Sequence, residues 1–260
     1  NADVIRTSKF QWTSDFNIGF NRNRVTELYG GKPELKGLKR LEEGRDMDEW
    51  YLREWAGVDP ANGSPLWYTT DENGKRTTTD SYNKADRVYC GSAAPKFTGG
   101  WMNSFSYKGF TLTANFDFVY GNLLYNQSRE LLDSDGAYAD YNSMKLKSGW
   151  KRWEKEGDIA THPKAINGGN KNSNKSSSRY LEKGNYFSLR NLSLGYSIPE
   201  KLCGKLGLQQ VNVSCSADNL FTLTPFSGVS PQLSDSSTDG YAGTIYPLSR
   251  RIVFGLNVSF

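Results

Sequence analysis

The stretch Y-P-L-S-R-R-I-V-F-G-L-N-V-S-F, residues 246–260, alternates between apolar and polar positions. Even-numbered positions carry mostly large apolar residues and odd-numbered positions mostly small or polar ones, with Arg250 and Val253 as the exceptions. A period of two is typical of β-strands. Fifteen residues exceed an ordinary strand of about five or six and suit a tilted strand that crosses a bilayer. The stretch therefore predicts a transmembrane β-strand that ends on an aromatic residue.

Composition favours the same class of protein. Aromatic residues reach 13%, although hydrophobic residues make up only 37% of the chain and the mean hydropathy is −0.66. A β-barrel explains this combination, because each strand turns one apolar face to lipid and one polar face to the lumen. No run approaches the roughly 18 apolar residues of a transmembrane helix. The dispersed net charge of +4 predicts no nucleic-acid partner, and the three cysteines have no metal-site spacing, so we expect no cofactor and no metal.

The same alternation recurs upstream. It predicts strands over residues 10–20, with a polar exception at Ser14, and, less regularly, over 50–56 and 65–70, then over 97–107, 110–120, 187–198 and 211–217. Lys108-Gly109 predicts a two-residue turn, and a change of phase at Arg190-Asn191 predicts a β-bulge. Short helices are predicted over 128–132 and 141–156. With the last strand the count is about eight.

Long and short connections alternate between these strands. Residues 22–48, 71–94, 122–183 and 223–245 are long and polar, whereas 57–63, 108–109 and 199–208 are short. Outer-membrane barrels have long extracellular loops and short periplasmic turns. The sequence therefore predicts an all-β, transmembrane antiparallel β-barrel with long extracellular loops, and it places Phe260 at the periplasmic end.

Several motifs, spread in order along most of the chain, resemble the C-terminal barrel portion of SusC/RagA-family TonB-dependent outer-membrane transporters. The motifs are Gly57-Val58-Asp59-Pro60 with Gly63; Pro95-Lys96-Phe97-Thr98-Gly99-Gly100 leading to Tyr107-Lys108-Gly109-Phe110; Trp153 with Gly157-Asp158 and Pro163; Ser178-Arg179-Tyr180-Leu181-Glu182; Phe187-Ser188-Leu189-Arg190-Asn191-Leu192-Ser193-Leu194-Gly195-Tyr196; Ala217-Asp218-Asn219-Leu220-Phe221; and Tyr246-Pro247-Leu248-Ser249-Arg250-Arg251 with Phe260.

The resemblance implies that residues 1–260 form about the last eight strands of a 22-stranded barrel in the outer membrane of a Bacteroidota-like cell. An N-terminal plug, the TonB-contacting segment and the earlier strands are then expected outside this sequence. The implied function is import of oligosaccharides with a SusD-like surface lipoprotein, driven by the TonB complex. Import of peptides by the same family, or an independent small outer-membrane barrel, remains an alternative.

The sequence also suggests candidate functional residues. In the longest loop, Trp150 and Trp153, and Tyr138 and Tyr141, could stack on a sugar ring, although for the tryptophans the simpler interpretation is that they pin the loop to its own helix. Six polar residues are expected to face the lumen: Asn115, Asp117, Asn212, Ser214, Arg251 and Asn257. Phe260 resembles the C-terminal signal read by the barrel-assembly machinery, a role that is compatible with a simple interfacial aromatic.

Catalysis is not expected. His162 is the sole histidine and no G-x-S-x-G motif is present, so a hydrolase barrel, one competing function, lacks its machinery. Asp71-Glu72-Asn73-Gly74 looks like the start of a calcium loop, but Lys75 stands where an oxygen ligand is required, so we predict a turn. A soluble, glycan-binding β-sandwich is the other competing class. It differs from a barrel in burying its apolar faces.

Overall fold

A computed structural model of the chain describes residues 1–141, 145–205, 207–232, 240–243 and 246–260. Among these residues the fold is almost entirely β. The strands are β1 Ala2–Arg6, β2 Phe10–Gly19, β3 Glu34–Lys36, β4 Lys39–Leu41, β5 Glu49–Arg53, β6 Trp55–Val58, β7 Pro65–Thr70, β8 Arg76–Thr79, β9 Arg87–Ser92, β10 Phe97–Tyr107, β11 Phe110–Tyr120, β12 Leu123–Asn126, β13 Leu181–Lys183, β14 Tyr186–Ser197, β15 Gln210–Leu223, β16 Tyr241–Ala242 and β17 Arg251–Ser259.

Helical structure is limited to short segments. These are the α-helices α1, Gln127–Leu132, and α2, Glu200–Gly204, and three 3₁₀ turns at Tyr29–Gly31, Tyr82–Lys84 and Ser178–Tyr180. Within the described residues, no helix has the length and apolar character needed to span a membrane. The helix predicted over 128–132 is confirmed by α1. The one predicted over 141–156 is wrong over its described part, residues 141 and 145–156, and residues 142–144 lie outside the described residues.

The main sheet has seven antiparallel strands in the order β1-β2-β10-β11-β14-β15-β17. Its connections alternate as the sequence predicts, with short turns at one end, while the long connections 20–96, 121–185 and 224–250 begin and end at the other. Phe260 follows β17 and therefore lies at the end with the short turns. The chain thus forms a continuous antiparallel wall whose long loops all leave from one rim.

Two details of the predicted strand set are wrong. The strands at 50–56 and 65–70 exist as β5, β6 and β7, but they belong to two small sheets, β3-β4-β5-β9 and β6-β7-β8, and not to the wall. Residues 20–96 therefore form one long excursion, because β2 pairs directly with β10 along its whole length. The strand β1, too short to show a clear period, was not predicted, so the wall has seven strands where about eight were expected.

The local features of the wall follow from the sequence. Lys108 and Gly109 both adopt positive φ, 46° and 85°, as a tight hairpin turn requires. The pairing of β14 shifts register around Arg190 on both sides, which confirms the predicted bulge. Asn219 also has a positive φ of 54°, and its side-chain amide donates to the Ser249 carbonyl at 3.1 Å. The pairing of β17 with β15 begins at Arg251, so β17 has nine residues and not the fifteen predicted.

The two faces of the wall differ sharply in character. Directly paired residues of antiparallel strands share a face, so Phe16, Trp101 and Phe116, matched across β2, β10 and β11, lie on one apolar face. Much of this face is exposed in the chain: Phe16 by 58%, Leu256 by 69% and Phe254 by 80%. Among the described residues no second sheet covers it, which argues against the β-sandwich alternative.

Polar groups on the apolar face are paired with one another. Ser14, the exception in the pattern of β2, accepts a hydrogen bond from Nε1 of Trp101 at 2.9 Å. Asn103, which is buried, accepts one from Nε1 of Trp12 at 3.1 Å. Each indole N–H thereby finds an acceptor on the neighbouring strand, as an indole away from water requires. The polar residue Ser14 therefore supplies the acceptor for the Trp101 indole.

The clusters of buried hydrophobic side chains lie in the loops, although Leu189 and Val211 of the wall are also buried. Trp50 packs against Tyr125, with ring centroids 5.7 Å apart, and against the edge of Tyr241 at 5.0 Å. Leu52, Ala93 and Tyr180 complete the cluster. Its members come from all three long excursions, so the loops are packed together as one body above the rim of the wall.

Candidate functional site

The polar face of the wall carries the six residues predicted to face the lumen. Asn115, Asp117, Asn212, Ser214, Arg251 and Asn257 all lie on the face opposite Phe116 and Phe254, as the strand pairing requires. Asn212 is paired with Asn257, and Arg251 with Asp218. The structure therefore brings the six onto one surface. That this surface faces a lumen remains a prediction.

Asp117 anchors one polar group on this face. It accepts hydrogen bonds from the Tyr186 hydroxyl at 3.0 Å and from the guanidinium of Arg190 at 3.2 Å. Arg190 is the residue that the bulge displaces from the pairing, and it is largely exposed. Oδ1 of Asp117 is buried and has no partner among the described residues. The bulge therefore directs the exposed guanidinium of Arg190 across the polar face to the Asp117 carboxylate, whose Oδ1 can accept a further hydrogen bond.

Asp218 anchors a second polar group one strand further along. Its Oδ2 accepts two hydrogen bonds from Arg251, at 2.7 and 2.9 Å, and its Oδ1 accepts one from Asn191 at 2.7 Å. The two groups follow one another across β11, β14, β15 and β17 near the rim with the long loops. Sequence reasoning missed Tyr186, Arg190, Asn191 and Asp218 as site residues, although the predicted bulge and the polar phase of β15 were the signals for them.

A cluster of charged side chains lies inside the second long excursion. Three arginines face three acids: Arg129, Arg152 and Arg179 against Asp133, Asp135 and Glu182. The Asp135 carboxylate is fully buried and contacts Arg179 at 2.5 Å and Arg152 at 2.6 Å. Buried ions are tolerated only when paired in this way. The cluster holds the loop in one shape and was not predicted, since its members are scattered over 54 positions, from 129 to 182.

His162 belongs to this cluster. Its Nε2 lies 2.8 Å from Asp133 and its Nδ1 lies 2.8 Å from the Thr161 hydroxyl. The order Asp-His-Thr looks like a hydrolytic triad, but His162 is only 1% exposed. The Thr161 hydroxyl also bonds the amide and carbonyl of Lys151, so it bridges two loop segments. A substrate could not reach this base, and the histidine is best read as a structural residue.

The two tryptophans of the loop do not form an open platform. Trp153 is buried and donates from Nε1 to the Pro60 carbonyl at 3.0 Å. Trp150 is half-buried between the His162 ring, 5.0 Å away, and the Arg129 guanidinium, 4.5 Å away. They do not share a helix, since no helix forms over the described residues 145–156. Trp150 therefore pins the second excursion to itself, whereas Trp153 fastens it to the first excursion.

The two tyrosines remain open. Tyr138 and Tyr141 are 41% and 54% exposed, with ring centroids 5.3 Å apart. The Tyr138 hydroxyl accepts a hydrogen bond from Asn174 at 3.3 Å, which fixes its edge and leaves its ring face accessible. Of the four predicted stacking residues, this pair keeps the geometry that a sugar or a peptide side chain could use.

Other sequence candidates have simple structural positions. Asp71 accepts hydrogen bonds from the amides of Asn73 and Lys75, so the segment is the turn between β7 and β8, as predicted. Phe260 is 85% exposed just past β17. Nothing in the chain tests its predicted role in assembly.

An all-β wall with one exposed apolar face, one polar face and long loops on one rim is the architecture of a membrane-barrel segment. No family model matches the chain. It is 28% identical over 296 residues to TonB-dependent receptor P3 of Formosa agariphila, and 28% identical over 311 residues to TonB-dependent receptor P39 of the same organism. Both alignments cover 100% of this chain.

Comparison with solved structures gives the same result as comparison with the sequences of known proteins. The chain superposes on the structure of the RagAB peptide transporter with a TM-score of 0.83 and 25% identity over 99% of its length. It superposes on the closed-closed state of the RagAB peptide importer with a TM-score of 0.82 and 27% identity. The chain spans 28% of the length of P3 and of each RagAB chain. It therefore resembles, over its whole length, a segment of a SusC/RagA-like TonB-dependent transporter.

Proposed function

We propose that this chain forms part of the wall of a TonB-dependent importer in the outer membrane. The observation that carries the proposal is the pair of opposed faces on the seven-stranded sheet, one apolar and exposed and one polar. An exposed apolar face of this extent suits lipid, and the polar face suits a water-filled lumen. The similarity to TonB-dependent receptors along the whole chain supports the coupling of this wall to TonB.

The wall itself carries out no chemistry in this proposal. Asn115, Asp117, Arg190 and Arg251 line the passage, and energy comes through a plug and the TonB complex contributed by the rest of the protein. A SusD-like surface lipoprotein closes the passage from outside, above the loops. The names of the relatives, which are receptors and transporters, support a function without catalysis.

Two classes of substrate fit the loops. The exposed pair Tyr138 and Tyr141 offers ring faces on which a sugar can stack, which supports an oligosaccharide. The RagAB structures are described as those of a peptide importer, which supports peptides as the second candidate.

A growth and uptake experiment tests both parts of the proposal. Cells carrying the whole transporter are supplied with labelled oligosaccharides or labelled oligopeptides, with and without a protonophore that removes the energy for TonB. We expect one class to enter, and its uptake to stop when either the gene or the proton gradient is removed. Tyr138→Ala together with Tyr141→Ala should lower uptake of an oligosaccharide, because the aromatic rings on which a sugar ring stacks are lost. Tyr29→Ala changes an exposed tyrosine in the first excursion and should leave uptake unchanged. Uptake that persists without the proton gradient would contradict the proposal.

A further inference from the structure

A polar pocket of about 420 Å³ lies in the first long excursion, close to the point where the chain leaves β2. Its volume falls in the range of about 300 to 1,000 Å³ that is typical of ligand sites. Three guanidinium groups line it, those of Arg22, Arg24 and Arg45. Because a guanidinium group can donate two parallel hydrogen bonds to a carboxylate, these side chains suit a ligand with an anionic group.

Only one of these three arginines is bound by the protein itself. Arg45 donates a hydrogen bond to Glu49 at 3.0 Å, and its guanidinium lies 3.6 Å from the centroid of the Tyr89 ring. Arg22 and Arg24 form neither a hydrogen bond nor an ion pair within the part of the chain that the structure describes. Both therefore keep their donors for a ligand.

The segment that carries the two unpaired arginines is fixed to the loop between β4 and β5. The side-chain carbonyl of Asn23 accepts a hydrogen bond from the Met47 amide at 2.8 Å. Val25 donates its amide to the Arg45 carbonyl and accepts the Gly44 amide, each at 2.8 Å. The backbone positions of both arginines are thus set by hydrogen bonds that need no ligand.

Three carboxylates, those of Glu43, Asp46 and Glu49, line the same pocket. Both oxygens of Asp46 accept hydrogen bonds from neutral groups of the protein, each at 2.8 Å. Glu43 uses one oxygen to accept the Leu28 amide at 2.9 Å, and Glu49 uses one for Arg45. The second oxygen of each glutamate has no partner among the described residues. The pocket therefore offers free donors and free acceptors side by side, and it carries as many negative as positive side chains.

A second pocket, of about 550 Å³, continues the first one towards the wall. The two pockets share Arg22 and Asp46, and the second also reaches Lys96. Lys96 lies against Gly121 and, two residues before Thr98, continues the phase of the polar face. We call the two pockets together the rim trough. It extends from the first excursion to the end of the polar face.

We propose that the rim trough binds the free C-terminal end of an oligopeptide, with the terminal carboxylate on Arg22 and Arg24. The last amide N–H groups of the peptide donate to the unoccupied oxygens of Glu43 and Glu49. Capture of a terminal carboxylate is a recurring mode of peptide recognition. The inference rests on the proposed function and selects the peptide from its two substrate classes.

The carboxylates of the trough favour a peptide end over a polyanionic chain. A neutral peptide brings one negative charge, at its terminus. An oligosaccharide of acidic sugars brings a carboxylate on every unit, and those beyond the first would lie against Glu43, Asp46 and Glu49. Like charges placed together across an interface weaken binding. The trough should therefore reject chains with many acids.

Peptide binding to the whole purified transporter tests the proposal. Fluorescence anisotropy compares a labelled oligopeptide of alanine and glycine that has a free C-terminus with the same peptide ending in an amide. We expect the free acid to bind about tenfold more tightly, because amidation removes charge-assisted hydrogen bonds. Arg22→Gln with Arg24→Gln should abolish this preference and leave binding of the amide unchanged. Lys32→Gln with Lys36→Gln removes the same charge from exposed positions of the same excursion and should leave the preference intact.

A second variant tests the role of the carboxylates. A peptide of the same length with several glutamates should bind more weakly than the neutral peptide, and Glu43→Gln should reduce this difference. The glutamine keeps an oxygen that can accept the Leu28 amide, so the loop should keep its shape. An unchanged difference in Glu43→Gln would overturn the role of the carboxylates.

Three further results would overturn the assignment. These are equal binding of acid and amide by the unaltered protein, equal effects of the two double variants, and displacement of the peptide by oligogalacturonate as readily as by unlabelled peptide. Variants are compared at equal amounts of heat-modifiable barrel, and uptake is measured in parallel. Energy-dependent uptake without any preference for the free acid contradicts only the rim trough, whereas uptake that persists without the proton gradient contradicts the proposed importer.

Discussion

At the scale of single residues, Asp135 joins three segments of the second long excursion. Its carboxylate is fully buried against Arg152, Arg179 and the Ser173 hydroxyl. Asp135→Asn removes the negative charge that pairs with Arg152 and Arg179. Breaking a buried ion pair lowers the free energy of unfolding by about 3 to 5 kcal/mol. We expect the loop of the whole transporter to be cleaved by trypsin at a lower temperature than in the unaltered protein. Asp140→Asn, an exposed position in the same loop, is the matched control, and equal cleavage of both variants would contradict this reading.

The acid dependence of the same loop depends on Asp133. Burial alone would raise the pKa of this carboxyl, but the hydrogen bond with His162 and the charges of Arg179 and Arg129 lower it to about 2. Because this value lies below the usual value of about 3.9, the ionised group stabilises the fold above about pH 4. That contribution is lost as the pH falls towards 2.

Pepsin digestion between pH 4.5 and 2, followed by mass spectrometry of the loop peptides, measures this loss. We expect protection at the upper end and cleavage at the lower end, with a weaker pH dependence in Asp133→Asn. Asp158, whose pKa is lowered to about 2 chiefly by the hydrogen bond with Lys151, titrates in the same window, so part of the dependence should persist. Asp140→Asn controls for the activity of pepsin itself, and an unchanged pH profile in Asp133→Asn would contradict the assignment.

At the scale of elements, β17 tests which face meets lipid. Leu256 lies on the apolar face and is 69% exposed in this chain, whereas the adjacent Asn257 lies on the polar face. Leu256→Arg should lower the yield of heat-modifiable barrel, because an arginine facing lipid near the midplane costs about 2 to 4 kcal/mol. Asn257→Arg should have little effect. A lower yield of heat-modifiable barrel for Asn257→Arg than for Leu256→Arg would mean that the lipid-facing and lumen-facing sides of β17 are assigned the wrong way round.

The end of β17 carries the prediction for assembly. Removing Phe260 should reduce the amount of transporter inserted in the outer membrane, since the terminal aromatic residue is the proposed signal for the assembly machinery. Phe260→Tyr keeps an aromatic ring and should insert normally. Quantitative blotting of outer-membrane fractions gives the measurement, and normal insertion without the residue would leave it as an interfacial aromatic only.

The elements of the wall could be predicted because each faces two uniform environments. A strand such as β11 sees an apolar side and a polar side over its whole length, so its sequence repeats with a period of two. Residues 50–70 have the same local pattern for another reason, since they are strands of small sheets packed in the loops. Periodicity reports which side of a strand is buried and not what it pairs with, so their place outside the wall was missed.

The candidate site was predictable to the same extent. The six polar residues of the wall followed from strand phase alone. Arg190 required the geometry of the bulge, and the cluster around Asp135 required contacts between segments far apart in the chain. Tertiary contacts of this kind leave no local signature, which is why the sequence offered both stacking on a ligand and pinning of the loop for Trp150 and Trp153, and why the contact of Trp153 with Pro60 was not predicted.

At the scale of the whole molecule, the wall ends in two open edges. Within the part of the chain that the structure describes, β1 pairs only with β2, and β17 pairs only with β15. Unpaired backbone groups in lipid cost several kcal/mol each, so we expect residues 1–260 expressed alone to form no heat-modifiable species. The full transporter should form one. Gel mobility before and after boiling measures the difference, and a compact heat-modifiable form of the isolated chain would instead favour the independent small barrel.

The shared core of the loops has a consequence for how such proteins diversify. Trp50, Tyr125 and Tyr241 reach this core from three different excursions, while the wall beneath contributes little to it. Recombination that exchanges one excursion between relatives would leave a cavity or a clash among these rings. Exchange of all three together would keep the rings matched and leave the strands untouched. The three excursions should therefore be inherited together, and new specificities should arise when all three are exchanged between barrels at once.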